Sequence, residues 1–195
     1  MNMVKNLVVA LVVIAAISVA VIYFLPNSYS ITNSVEIDRP ASVVYQQVAD
    51  FNKWSAWSPW KEKDPAAITT VEGTPGIEGH KLSWDGKQVG KGYMVLTAYG
   101  ENESLVCTDF FEAPMKATAK DYWVFENEGG KTKVTWTSAG GLKFPFGRLA
   151  GLRMNTFVGD PQRKGLENLK RVCEAIELPA PQPVAATDST ATPTN

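Results

Sequence analysis

The sequence predicts an α+β domain in which a long C-terminal helix lies across the concave face of a curved antiparallel sheet, with one apolar helix ahead of the domain. Short strand-like runs separated by turn signals fill residues 66–139, which is the pattern of an antiparallel meander. An amphipathic helical pattern follows, and its apolar stripe needs a surface to cover. Together with an uncharged run near the N-terminus, these observations divide the chain into an anchor at 1–27, a domain at 28–178 and a tail at 179–195.

The N-terminal run is long and apolar enough to cross a bilayer. Leu7–Leu25 is interrupted only by Ser18 and carries no charge, so a helix over it spans about 28 Å, close to the hydrocarbon thickness of a membrane. A cleaved signal peptide is the alternative, because Ser28-Tyr29-Ser30 offers a peptidase site, but the apolar region of a signal peptide is usually shorter. We therefore predict a single-pass anchor, and Lys5 on its N-terminal side favours an extracytoplasmic domain.

Composition excludes several classes of partner. The 195 residues carry 19 basic and 20 acidic side chains, so no basic surface for nucleic acid is expected. Residues 179–195 are rich in proline, alanine and threonine and predict a disordered tail. Cys107 and Cys173 are isolated and are interpreted as small buried side chains, although export would permit a disulfide between them. With a single histidine in the chain, we predict neither a metal nor a cofactor.

The domain is predicted to begin with one strand and two short helices. Alternating apolar residues mark a strand over 29–37, and a helical stripe covers 40–49. Asp50 then caps a short helix that carries the segment Trp54-Ser55-Ala56-Trp57-Ser58-Pro59-Trp60, which Pro59 is expected to end. Since indole rings bury much apolar area, this segment predicts an aromatic wedge at the rim of a core or cavity.

Glycine and proline predict where the remaining elements bend or break. Asp85-Gly86 is a two-residue hairpin signal, and Gly90 and Gly92 inside one strand indicate a bulge. Gly159-Asp160-Pro161 is expected to break or kink the C-terminal helix, with Asp160 capping its second half. The resulting order is one strand, two short helices, six antiparallel strands and a long helix.

The domain carries several packing and turn motifs, which are Ser34-Val35-Glu36-Ile37 through Pro40 and Val43-Val44-Tyr45, Trp54-x-x-Trp57-Ser58-Pro59-Trp60, Val89-Gly90-Lys91-Gly92, Lys133-Val134-Thr135-Trp136, Phe144-Pro145-Phe146-Gly147-Arg148 and Lys164-Gly165-Leu166-x-Asn168-Leu169-Lys170. These motifs resemble the START-like (SRPBCC) ligand-binding superfamily, in its polyketide cyclase/dehydrase-type branch with an N-terminal membrane segment. The resemblance covers about residues 31–177. It implies a helix-grip fold, with a seven-stranded antiparallel sheet wrapped around the C-terminal helix and a cavity between them. It also implies an apolar ligand, with cyclisation or dehydration as the activity of a minority of members.

Three titratable residues are weak candidates for catalysis. His80 opens a strand after a turn and is expected to be solvated. Asp109 and Asp121 each lie inside a strand among apolar residues, and in a cavity their pKa values would rise so that they could act as acids. The simpler expectation is that both carboxylates face solvent or pair with a lysine across the sheet.

The ligand-binding candidates are aromatic. Neighbouring residues in a strand point to opposite faces, so only one of each adjacent pair can line a cavity. Phe144-Pro145-Phe146-Gly147 precedes the long helix and is interpreted either as a lid or as a hydrophobic staple that fixes the entry of the helix. The candidates are Trp54, Trp57, Trp60, Tyr93, Tyr122, Trp136, Phe144 and Phe157.

We therefore expect a membrane-tethered module that binds an apolar small molecule or a lipid between sheet and C-terminal helix, without catalysis. One alternative is a cyclase or dehydratase that uses Asp109, Asp121 or His80 as acid and base. A second alternative is a protein–protein adaptor whose tryptophan wedge packs on a partner.

Overall fold

The computed structural model describes residues 2–178, so the predicted tail at 179–195 lies outside the described residues. The helices are α1 Asn2–Phe24, α2 Ala41–Ala49, α3 Pro59–Lys63, α4 Phe146–Gly151 and α5 Asp160–Glu174, with a 3₁₀ helix at Phe51–Ala56 and a π-helical turn at Asn155–Gly159. The strands are β1 Ser28–Ile37, β2 Ile68–Glu72, β3 Lys81–Gly86, β4 Gly90–Gly100, β5 Ser104–Ala113, β6 Ala117–Glu128 and β7 Lys131–Gly141.

All seven strands form one antiparallel sheet in the order β1-β7-β6-β5-β4-β3-β2. The predicted meander of six strands is β2–β7, and β1 returns to pair with β7 at the far edge. Strand β4 shifts register against β5 between Lys91 and Gly92, which is the predicted bulge. A Cβ at Gly92 would clash with the Phe110 carbonyl oxygen, so only glycine permits this close approach of the two strands.

Helix α5 lies on the concave face of the sheet, and this arrangement confirms the predicted helix-grip fold. Its stripe of Leu166, Leu169 and Cys173 is buried in the core cluster. At Gly165 a Cβ would meet Pro59 Cδ at 3.0 Å and the Trp136 ring at 3.4 Å. The absence of a side chain at this position therefore lets α5 approach both the sheet and the start of α3 closely.

One predicted turn lies at a different position in the structure. Asp85 and Gly86 belong to β3, and the hairpin turns directly after the dipeptide, at residues 87–89. The cause is long-range, because the buried carboxylate of Asp64 accepts hydrogen bonds from the backbone amides of this turn, including Gln88 N at 2.7 Å. Gly90 then supplies the positive φ, at 72°.

The prolines begin helices rather than end them. Asp50 caps the 3₁₀ helix as predicted, by accepting from the Asn52 amide at 3.0 Å, but that helix ends at Ala56 and Pro59 starts α3. The predicted break at residues 159–161 is also absent, since the π-helical turn runs directly into α5. Asp160 binds Arg163 instead of capping the helix.

Four tryptophans fill one half of the concave face of the sheet, the half that lies beneath α2 and α5. Trp123 and Trp136 stack at 4.2 Å, and Trp54 lies 4.7 Å from Trp57 and 6.1 Å from Trp123, measured between ring centroids. The indole N–H groups of Trp54 and Trp57 donate to backbone carbonyls of α2 at 2.8 and 3.2 Å. The cluster therefore closes the core beneath α2 and α5 and does not extend over the other half of the sheet.

Helix α1 is the one helix among residues 2–178 that is long and apolar enough to cross a membrane by length and composition, and none of that stretch is buried against the domain. Its C-terminal end touches α4, where Arg148 donates to the Tyr23 carbonyl oxygen and its guanidinium lies 5.4 Å from the centre of the Tyr23 ring. The same length and composition would suit a signal sequence.

Candidate ligand cavity

A cavity of about 1170 Å³ opens between the segment from α4 to α5 and the half of the concave face that the tryptophan cluster leaves free. In β6 the residues Ala117, Ala119 and Asp121 line it in turn, and the next residue on the same face, Trp123, belongs to the filled core. The carboxyl of Asp121 therefore lies at the inner end of the cavity. Apolar wall residues include Phe51, Met94, Phe111, Leu142, Met154 and Val158.

Of the eight aromatic candidates, five line the cavity, one is buried in the indole cluster and two lie on the convex face of the sheet. The cavity is lined by Trp54, Trp60, Trp136, Phe144 and Phe157. Trp57 does not line it, because this residue is only 1% exposed and packs inside the indole cluster.

The placement of Tyr93 and Tyr122 in the cavity was wrong. Strand register turns both rings to the outer, convex face, where Tyr93 stacks on Phe110 at 4.8 Å and Tyr122 is 39% exposed. The signal that could have placed Tyr122 lies in its own strand, since it alternates in step with Lys120 and Glu126. Charged side chains at that spacing mark the solvent face.

Asp109 and Asp121 lie inside the cavity, which corrects the expectation that they face solvent or pair with a lysine. Asp109 stands opposite Ala119 in the β5–β6 register, so the two carboxyls are diagonal neighbours on the concave face. Their exposed fractions are only 8% and 6%. Two acidic groups thus share the inner end of an otherwise apolar space.

A chain of neutral polar side chains holds Asp121 in place. The Ser138 hydroxyl donates to the Asp121 carboxyl, and Gln162 Nε2 donates to Ser138 Oγ at 2.9 Å. Gln162 Oε1 in turn accepts from Asn33 Nδ2 at 2.9 Å, so the chain joins β6, β7, α5 and β1. Sequence reasoning missed Gln162, although this amide occupies the same helical stripe as Leu166 and Leu169.

Burial dominates the electrostatics of the inner end. It raises the pKa of Asp121 to about 6, while hydrogen bonding from Ser138 acts in the opposite direction. Burial and the neighbouring Asp121 raise the pKa of Asp109 well above its usual range. Tyr29, which lines the cavity from β1, has its pKa raised to about 12 by burial and by the two carboxyls. Two close carboxyls in such surroundings do not both ionise near neutral pH.

His80 is fully buried, which corrects the expectation that it is solvated. Its Nε2 accepts from the Phe51 amide at 3.0 Å, its Nδ1 lies 3.0 Å from the Glu72 carbonyl oxygen, and its ring stacks on Phe51 at 4.4 Å. Since Nε2 is the acceptor, the proton is assigned to Nδ1. Both nitrogens are occupied by the backbone and His80 does not line the cavity, so it holds the 3₁₀ helix against the sheet.

Replacing His80 by alanine is expected to lower the free energy of unfolding by about 3 kcal/mol, because the Phe51 amide loses its acceptor and a buried ring leaves a void. Urea denaturation followed by tryptophan fluorescence measures this change. The control Lys87→Ala, on the exposed β3–β4 turn, should shift stability by less than about 0.5 kcal/mol. An unchanged midpoint for His80→Ala would contradict the structural role.

The mouth of the cavity lies beside the end of α1. Asn27, Phe144 and Phe146 border it, and the rings of the two phenylalanines are 47% and 70% exposed. Phe144 lies 6.5 Å from the Tyr23 ring and 5.8 Å from the Arg148 guanidinium. This location suits the lid interpretation of the segment Phe144-Pro145-Phe146-Gly147, since the two rings lie at the opening.

Neither a metal site nor a disulfide is formed by the described residues. No group of three or more His, Cys, Asp or Glu side chains that could hold a metal ion occurs within residues 2–178. Cys107 and Cys173 are both buried with free thiols.

These features define a helix-grip protein with an internal, mostly apolar cavity. The model of the family described as "Polyketide cyclase / dehydrase and lipid transport" matches residues 28–174, and the chain belongs to this family. The resemblance read from the sequence motifs is thereby confirmed. A search of curated proteins gives no match.

Solved structures share the fold at low sequence identity. The di-domain ARO/CYC StfQ from the steffimycin biosynthetic pathway aligns with a TM-score of 0.60 and 10% identity over 76% of this chain and 51% of its own. A hypothetical protein from Helicobacter pylori aligns with a TM-score of 0.59 and 10% identity over 74% of this chain and 88% of its own. A protein from Chromobacterium violaceum aligns with a TM-score of 0.53 and 15% identity over 74% of this chain and 96% of its own. The last match spans nearly the whole of that chain, so that protein has little chain beyond the shared fold.

Proposed function

We propose that this protein binds an apolar small molecule or a lipid in the cavity and is held at a membrane surface by α1. The observation that carries the proposal is the cavity itself, about 1170 Å³ with mainly apolar walls and a few polar groups at one end. Small-molecule sites have this composition, and a space of this size accommodates a molecule of lipid size. The description of the family, which joins cyclases and dehydrases with lipid transport, agrees with such a ligand.

The tether is proposed from the position of the cavity mouth. Asn27, three residues after the end of α1, borders the cavity, and Arg148 of α4 binds the last turn of α1. If α1 spans the membrane, the mouth opens near the headgroups, and the domain lies on the extracytoplasmic side by the charge of Lys5. An apolar ligand would then enter from the bilayer without crossing water.

One experiment tests both parts. Native mass spectrometry of the full chain, released from detergent, is expected to show a mass that includes residues 1–27 and a bound apolar molecule. The same measurement on residues 28–178 should show the molecule without the anchor. A mature mass that begins after residue 27 would replace the tether by a signal peptide. An empty domain in both preparations, with no apolar probe taken up, would refute ligand binding.

A cyclase or dehydratase is the second candidate, and the buried pair of Asp109 and Asp121 favours it. A carboxylic acid that keeps its proton near neutral pH in a dry site is suited to general-acid chemistry. The captured molecule would then lose one water on incubation with the wild-type protein and stay unchanged with Asp109→Asn. The adaptor alternative finds less support, since Trp54 and Trp57 are buried and Trp60 is half-buried.

A further inference from the structure

The two carboxyls at the inner end of the cavity have no positive partner. None of the ion pairs among residues 2–178 includes Asp109 or Asp121. The lysines that border the cavity, Lys61, Lys63, Lys116 and Lys143, are exposed or half-buried. A buried acidic pair without a counter-charge costs stability, so its presence needs a reason other than folding.

Hydrogen-bond acceptors at this end are left free. Ser138 occupies one oxygen of Asp121, and no side-chain or backbone donor within residues 2–178 binds either oxygen of Asp109. The indole N–H of Trp136 is also buried in the cavity wall without a partner of hydrogen-bonding geometry, although it is near enough to lower the pKa of Asp121. Buried polar groups of native proteins are normally paired, so the free carboxyl oxygens indicate where the hydrogen-bond donors of a ligand lie.

The groups that face the pair from the surrounding elements supply no cation. Tyr29 from β1 and Cys107 from β5 are neutral groups whose pKa values are raised, in part by the two carboxyls. Ser138 from β7 presents a neutral hydroxyl, and Gln162 from α5 presents a neutral amide. The inner end therefore carries net negative charge in a mainly apolar space.

We propose that the ligand is an amphiphile with a primary amine, whose ammonium group lies between Asp109 and Asp121 while its apolar part extends toward the mouth. This inference rests on the proposed binding function and specifies its ligand class. A primary ammonium has three N–H donors and no acceptor, which matches the three carboxyl oxygens that Ser138 leaves free. Binding lets both carboxyls ionise, so the proton that the pair holds in the free protein passes to solvent.

The test compares two probes that differ only in the polar group. Dodecylamine and dodecanol are titrated into residues 28–178 near neutral pH, below their aggregation limits, by isothermal calorimetry. The amine is expected to bind at least about tenfold more tightly than the alcohol, because only the amine supplies the missing charge. Repeating the titration in buffers of different ionisation enthalpy should reveal release of a proton with the amine and none with the alcohol.

Variants assign the difference to the acidic pair. Asp109→Asn and Asp121→Asn are each expected to lower the affinity for dodecylamine by about tenfold or more and to change the affinity for dodecanol by less than about threefold. Asp85→Asn, which removes an exposed carboxylate paired with Lys91 at 3.4 Å, is the matched control and should change neither affinity. Equal affinities of the two probes, or an unchanged affinity of Asp109→Asn for the amine, would overturn the amine proposal and leave the cavity function standing. If neither probe binds the wild-type domain, the proposed binding function fails as well.

Discussion

Replacing Ala119 by phenylalanine is expected to lower the affinity of the domain for an apolar probe by about tenfold or more. Ala119 is 6% exposed, lines the cavity and faces Gly140 across the β6–β7 pair, and the ring of Tyr29 lies over Gly140. The phenyl group would therefore extend toward Tyr29 and occupy the middle of the space. Titration with the fluorescent apolar dye N-phenylnaphthylamine measures the loss.

The same substitution on the other face of the sheet provides the control. Ala139 pairs with Lys120 on the convex side, so Ala139→Phe should leave dye binding unchanged. Circular dichroism of both variants verifies the fold. Full dye binding by a folded Ala119→Phe variant would show that the ligand does not occupy this cavity.

The free energy of unfolding of residues 28–178 is expected to fall as the pH rises from about 4 to about 7, by roughly 3 kcal/mol for Asp121. The pKa of this carboxyl is about 6 in the folded state against 3.8 ordinarily. Between these values the unfolded chain releases the proton and the folded chain keeps it, so rising pH favours unfolding. The stabilising effect of the retained proton is complete below 3.8 and is lost above about 6.

Urea denaturation of the wild type and of Asp121→Asn at a series of pH values tests this prediction. Other carboxylates act in the opposite direction, because hydrogen bonds from Lys164 and from the Asp38 backbone lower the pKa values of Glu62 and Glu174, respectively. The informative quantity is therefore the difference between the two proteins. We expect Asp121→Asn to be the more stable of the two at pH 7, and parallel pH profiles would contradict a buried carboxyl that resists ionisation.

The sequence was sufficient for the fold because its signals are local and agree with one another. The bulge at Gly92, the cap at Asp50 and the stripe through Leu166 and Leu169 each follow from spacing and residue type. The hairpin at Asp85-Gly86 was misplaced because the distant carboxylate of Asp64 holds the turn, and the break predicted near Asp160 is absent because the π-helical turn continues into α5. Tertiary contacts and the conformation of the neighbouring segment can override the local preferences of glycine and proline.

The cavity was less predictable, since its members are chosen by strand register. Tyr93 and Tyr122 carry the right chemistry for a ligand site, but each is one residue out of step with the concave face. His80 was misjudged because its partners, Phe51 and the Glu72 carbonyl, come from other elements of the fold. No local pattern reveals such a contact.

The indole cluster separates the part of the domain that stabilises the fold from the part that encloses the cavity. Trp54, Trp57, Trp123 and Trp136 join the sheet to α2 and α5 at one end, so folding does not depend on filling the other end. Residues of the hollow half can change with little penalty to the core. Proteins with this architecture can therefore change their ligand specificity by substitutions around the cavity while they keep the same fold.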